Sequence, residues 1–168
     1  ITLILWTQTL SIIQIQKILV QNDAGIRTLP GTKLVNDATN EVIYTPPQTK
    51  EEIDELLKNF TDYLNNEDDS LSKLAILHYQ FESIHPFYDG NGRTGRLLVG
   101  SYLARYLEKY SAITFSYAIN ENKSTYYKAL EEIPFPTNRG EMTFYLIDML
   151  KLLSNGQKGI IEDLEINL

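Results

Sequence analysis

The apolar positions fall mostly at helical spacing. Residues 3–21 carry apolar side chains on several faces, broken by Gln8, Gln14 and Gln16, and predict a buried helix. Residues 22–31, NDAGIRTLPG, are turn-rich, with Gly25, Pro30 and Gly31 as breakers. Residues 33–47 hold two short β-prone runs around Asn36–Asn40, which predicts a hairpin over about Leu34–Tyr44, closed by Pro46 and Pro47. Thr49 reads as the N-cap of an amphipathic helix, with Glu51 and Glu52 in its first turn and Ile53, Leu56, Leu57, Phe60 and Leu64 along one face. Ser70 reads as the cap of the next helix, which aligns Leu71, Leu74, Ala75, His78, Phe81 and His85 and ends at Pro86. Residues 93–109 are apolar nearly all round, as in a central, buried helix. Helical patterns return at 122–133 and at 141–153, extending toward 165. The sum is an all-α fold, a helical bundle around a buried central helix with one small β-hairpin, expected as a single domain over 1–168.

Composition narrows the class. A chain of 168 residues suits one domain with a sizeable core. The net charge of -7, with no long basic run, argues against a nucleic-acid partner. There is no Cys, which excludes disulfides and thiolate metal sites and fits a cytoplasmic setting. The N-terminal apolar run lacks a basic flank and is interrupted by glutamines, so neither a signal peptide nor a membrane span is expected. The chain opens on Ile1 and fits a piece of a longer protein as well as a whole one.

The stretch HPFYDGNGRTGR, His85 to Arg96, breaks the pattern. It sets glycines, an asparagine and two arginines where an apolar helix begins, although a helix N-terminus is already positive. Gly90 and Gly92 allow backbone N–H groups to approach a ligand, and the helix start adds unpaired N–H groups, so the turn suits an anion. Arg93 and Arg96 would be unfavourable there alone; a triphosphate reverses the sign. Asp89 among these cations can hold Mg²⁺, which binds carboxylate and phosphate oxygens together. His85 has an ordinary pKa of about 6.5 and can accept a proton near neutrality. Singly, each residue has a commoner structural explanation: a capping histidine, a plain turn, solvated arginines. Together they are a kit for nucleotidyl or phosphoryl transfer. His78, Glu82, His85 and Asp89 also stand at 3–4 spacing, but Pro86 and the glycines break the shared face, so His78 is expected to be a polar helix-packing residue and not a metal ligand.

The pattern His-x-Phe-x-Asp-Gly-Asn-Gly-Arg-x-x-Arg resembles the signature of the Fic domain family. Eight positions are specified, and at roughly 5% per residue type chance agreement at one start point is about one in ten billion. LAILHYQFESIHPF, VIYTPP and NKSTYYKAL resemble the family's helix before the loop, its flap and the segment after its central helix, so the resemblance covers roughly residues 25 to 150. It implies protein adenylyltransfer (AMPylation): AMP moves from ATP to a Ser, Thr or Tyr hydroxyl of a target protein, and pyrophosphate leaves. By the same resemblance His85 is the general base and Asp89 the Mg²⁺ ligand. Gly90, Asn91 and Gly92 form the anion hole, Arg93 and Arg96 clamp the phosphates, Phe87 pins the loop, and Tyr127 lines the nucleoside pocket. The flap, with Val42, Ile43 and Tyr44, docks the target by strand addition.

Many Fic proteins carry an inhibitory helix with the motif Ser/Thr-x-x-x-Glu-Gly/Asn. The nearest match here, TNRGEM over Thr137–Met142, ends in Met and is rejected. A segment before Ile1 or a partner protein would have to supply such a helix, or the domain is uninhibited. Removal of AMP from a modified protein and a non-catalytic ATP-binding or docking module are the alternatives. Gly92, where the Doc-type phosphotransferases have Lys, argues against transfer of the terminal phosphate. A homo-oligomer is left open.

Overall fold

The computed structural model describes residues 9–36, 39–66, 71–107 and 109–166. The N-terminal apolar run forms α1, Thr9–Val20, which buries Ile12, Ile15 and Gln16. The expected hairpin follows as β1, Leu34–Val35, and β2, Val42–Tyr44, antiparallel, with Leu34 opposite Tyr44 and a bulge before Val35 meets Val42. Thr49 caps α2, Lys50–Leu64: its side chain accepts the N–H of Glu52, and Ile53, Leu57, Phe60 and Thr61 are buried. The next helix, α3, covers Leu71–Ile84 and buries Leu74, Ala75, Leu77, His78 and Phe81 among others. Ser70, expected as its cap, lies outside the described residues. Then come α4, Asn91–Tyr106, α5, Lys109–Glu121, α6, Lys123–Glu132, and α7, Thr143–Ile166. Among the described residues this is an all-α architecture with one two-stranded sheet. None of those helices is long and apolar enough to cross a membrane.

The chain separates into two compact units, residues 1–95 and 96–168. In the first, α2 packs on α3, and the rings of Phe60, Phe81 and Phe87 run in series at 5.8 and 6.4 Å. Gly95, the last residue of this unit, lies against α3 so closely that a Cβ there would stand 2.3 Å from Glu82 Oε1, 3.1 Å from the Phe81 ring and 3.3 Å from His78 Cε1. In the second unit α7 packs on α5 and α6. Gly156 of α7 meets the backbone of Thr114 of α5: an added Cβ would lie 2.9 Å from the Thr114 carbonyl oxygen. Gln157 donates to the Ser111 hydroxyl beside it, at 2.7 Å.

Two sequence expectations change in detail. Residues 109–121, assigned to no helix of their own, form α5, because Ser111, Thr114, Phe115, Ala118 and Ile119 fall on one face and are covered by α7. The apolar residues expected all round α4 divide: Val99 and Leu103 are buried, whereas Leu97 is 41% exposed, and Leu107, just past the end of α4, is 43% exposed.

Candidate active site

The candidate chemistry lies in the loop between α3 and α4. α3 ends at Ile84, and Pro86 cannot continue it. Between them His85 has φ +47°, a left-handed conformation that a residue with a side chain keeps only when its surroundings hold it there.

The hold comes from four directions. Arg27, fully buried, donates from Nε to the His85 carbonyl (2.7 Å) and from Nη2 to the carbonyls of Ile84 (3.3 Å) and Pro47. Its own N–H donates to the Pro86 carbonyl (2.9 Å), beside a β-bridge between Ile26 and Phe87. On the helix side the Asn91 side chain clasps Phe87, accepting its N–H at 2.9 Å and donating to its carbonyl at 2.8 Å. The Phe87 ring is buried against Phe81. From α1, Gln16 Nε2 donates to the Asp89 carbonyl at 2.9 Å. The Tyr88 hydroxyl, on the outer side, accepts the N–H groups of Thr28 and Leu29 at 2.9 and 3.1 Å.

Gly90 opens the helix. Its φ is +84°, and a Cβ there would stand 2.5 Å from Val20 Cγ1, so both the backbone and the space require glycine. The N–H of Thr94 donates to the Gly90 carbonyl (2.9 Å), the first rung of α4. The N–H groups of Asn91, Gly92 and Arg93 precede that rung and have no intrahelical acceptor, the arrangement that binds anions at helix starts. Asp89 supplies an internal anion: Oδ1 accepts the Gly90 N–H at 2.6 Å, and Oδ2 pairs with Arg93 at 3.0 Å. Arg93 also donates to the Leu19 carbonyl at 3.3 Å. Both side chains of the pair are roughly half exposed or more, so the pair is worth about 0.2–1 kcal/mol.

The His85 imidazole is half-buried, and its Nδ1 is shut from solvent without a hydrogen bond of normal geometry. Burial holds its pKa below the ordinary histidine value; the Glu82 carbonyl pulls the other way, and the Arg27 charge adds to the depression. Burial of this kind favours the neutral form of the ring.

His85, Asp89, Gly90, Asn91, Gly92 and Arg93 are thus brought together in one turn. Arg96 lies half-buried in the second turn of α4 and is the first residue of the second unit. Tyr127 belongs to that unit, on α6, half exposed and edge-on to Tyr126 at 5.1 Å. In the hairpin Val42 is exposed, and Ile43 and Tyr44 are half-buried. Burial raises the Tyr44 phenol pKa, with Tyr79 and Glu52 adding to the effect. Beside Tyr44 opens a groove of about 570 Å³ whose lining includes Pro47, Tyr63, Tyr79 and Ser83. His78 is buried where α3 meets Gly95, a packing position. Among the described residues no group of three or more His, Asp and Glu side chains could hold a metal by itself.

Sequence reasoning missed Arg27 and Gln16. Arg27 sits in a turn-rich stretch that looks solvated, and its bonded carbonyls at Ile84 and His85 are 57 and 58 residues away. A cation directly after the apolar Ile26 was the available signal.

The family model described as Fic/DOC family matches residues 6–103, more than half the chain. Protein adenylyltransferase fic-1 of Caenorhabditis elegans is 43% identical over 63 residues, 35% of this chain and 12% of that protein. Protein adenylyltransferase Fic of Drosophila willistoni is 46% identical over 54 residues, 30% of this chain and 11% of that protein. The match therefore spans only about an eighth of these curated relatives. Among solved structures, a Fic family protein from Desulfovibrio desulfuricans superposes with a TM-score of 0.75 at 23% identity, over 94% of this chain and 48% of that one. Fic-1 of C. elegans superposes with a TM-score of 0.53 at 22% identity, over 91% and 43%. Those likenesses establish the fold, and the family model settles the membership: this chain belongs to the Fic/DOC family.

Proposed function

We propose that the chain is a protein adenylyltransferase that moves AMP from ATP to a Ser, Thr or Tyr hydroxyl of a target protein. The observation that carries this reading is the join of two features in one turn. A half-buried imidazole at His85 stands six residues before the helix start at Asn91, where the N–H groups of Asn91, Gly92 and Arg93 lie ahead of the first helical rung. The related proteins named adenylyltransferases support the same reading.

In the proposed step the target hydroxyl oxygen bonds to the α-phosphorus. The bond from that phosphorus to the bridging oxygen of the β-phosphate breaks, and pyrophosphate leaves. His85 takes the hydroxyl proton, at Nε2 because Nδ1 is shut from solvent. The helix amides with Arg93 and Arg96 hold the phosphates and offset their charge, which is most of what phosphoryl chemistry asks of a protein. Asp89 carries an exposed carboxylate beside the open amides, which suits Mg²⁺: that ion takes one or two carboxylates and fills its other positions with phosphate oxygens and water. Mg²⁺ held there would neutralise phosphate charge. An extended target segment would pair with the open edge of β2 at Val42, Ile43 and Tyr44, which fixes its backbone without a strict sequence demand.

The test uses ATP labelled at either the α- or the γ-phosphate, with proteins of a cell lysate as acceptors. Label on protein from the α position alone is expected. Label from the γ position alone means phosphorylation, and ATP binding with no label means a binding module; either outcome rejects the proposal. His85→Ala should abolish transfer and leave ATP affinity largely intact, because the base acts on the hydroxyl and not on the nucleotide.

A further inference from the structure

Arg27 is fully buried and forms no salt bridge among the described residues; Tyr88 and Glu52 act on its charge only at longer range. Its guanidinium rests on carbonyl oxygens at Ile84, His85 and Pro47, and Nη1 is buried with no partner at all. Burial pulls its pKa down. An unpaired buried cation is a poor way to stabilise a fold, since apolar side chains of like volume do that better. Its contacts point to another purpose. The carbonyls of Ile84 and His85 end α3, where orphaned oxygens and the negative end of the helix dipole favour a cation. Pro47 stands three residues beyond β2. One rigid, planar fork therefore touches the exit of the hairpin and the backbone of His85 together, a span that a single ammonium group cannot reproduce.

We propose that Arg27 is a positioning residue. It holds the His85 backbone in its left-handed conformation and ties the hairpin to it, so that a target strand on β2 presents its hydroxyl at a fixed distance from the imidazole. The enzymatic consequence rests on the adenylyltransferase reading; the positioning itself does not.

The test compares Arg27→Lys and Arg27→Gln with the unaltered protein. ATP affinity should stay unchanged, since Arg27 touches no residue assigned to the phosphates. The rate of α-label transfer at saturating ATP should fall about 10- to 100-fold in both variants, the loss expected when a reacting group moves by about 1 Å. The chain has two histidines, so imidazole NMR gives two signals, and His85→Gln identifies which is His85. Its pKa should rise somewhat in Arg27→Gln, which lacks the charge, yet stay below the ordinary value because burial is the larger cause, and it should rise less in Arg27→Lys, which keeps the charge. Transfer at the unaltered rate by folded Arg27→Lys would overturn the proposal.

Should both variants fail to fold, the unaltered protein decides. The Arg27 Nε–H should exchange far more slowly than that of exposed Arg139 and show proximity signals to His85 and Pro86. Exchange as fast as Arg139 would overturn the proposal. If the unaltered protein transfers no label, the adenylyltransferase reading fails, while the NMR result still decides whether Arg27 holds His85.

Discussion

Replacing Asn91 by Ala removes both bonds of its clasp on Phe87, at 2.9 and 2.8 Å, and nothing else of size. Phe87 is fully buried, so water cannot replace the lost partners. Each orphaned backbone group costs about 1–3 kcal/mol, and some relaxation is available, so a total of about 2–4 kcal/mol follows. For a chain of this size that corresponds to a drop in unfolding temperature of roughly 4–16 °C, from about 2–4 °C per kcal/mol. Urea unfolding, with the slope checked for constancy, measures it.

Asn91→Asp is the sharper variant. The carboxylate still accepts the Phe87 N–H but opposes the Phe87 carbonyl, so its pKa is expected to rise in the folded state. A raised folded pKa means that the folded protein holds the proton more tightly. The variant should therefore be nearest the unaltered protein in acid and lose stability as pH rises through that pKa. Loss of less than about 0.5 kcal/mol in Asn91→Ala, the range of an ordinary surface substitution, would refute the clasp.

Gly156→Ala drives a methyl group into the Thr114 backbone, which cannot swing aside, and should lower stability by about 1–3 kcal/mol; thermal unfolding at the unaltered midpoint would contradict that close approach. The transfer rate should keep its full value as pH falls below 6.5 and drop only through the depressed His85 pKa; an acid limb centred at or above 6.5 would place the base elsewhere. Asp89→Asn breaks only an exposed pair, so stability should change by less than about 1 kcal/mol. ATP affinity measured by calorimetry should nevertheless fall in Mg²⁺ and change little without it; equal loss in both conditions would remove Asp89 as the metal ligand.

The parts of the fold that rest on local signals were legible in the sequence. Thr49 capped its helix, Pro86 ended another, and Asn36 and Asn40 are bonded to each other where the hairpin turns, the Asn40 N–H donating to the Asn36 carbonyl. Helix α5 was obscured because Ser111 and Thr114 sit on its buried face, where polar residues conceal the helical period; packing against Gly156 and Gln157 decides it instead. The loop was legible as chemistry because glycines, arginines and a histidine there made little sense as packing. What fixes that loop was not legible, because its partners are remote: Arg27 and Gln16 reach it from 58 and 73 residues away. Asn91 combines both cases. Its presence in the anion turn was read from the motif, but only the structure reveals that its side chain is committed to Phe87, which leaves its backbone N–H as the group available to an anion.

A crystal of the protein grown with ATP and Mg²⁺ puts the phosphate-binding turn to trial. The triphosphate should lie over the N–H groups of Asn91, Gly92 and Arg93, with the Asp89–Arg93 pair opened and the α-phosphorus facing His85. Nucleotide bound elsewhere, or a turn with that pair intact and no nucleotide at saturating ATP, would contradict it.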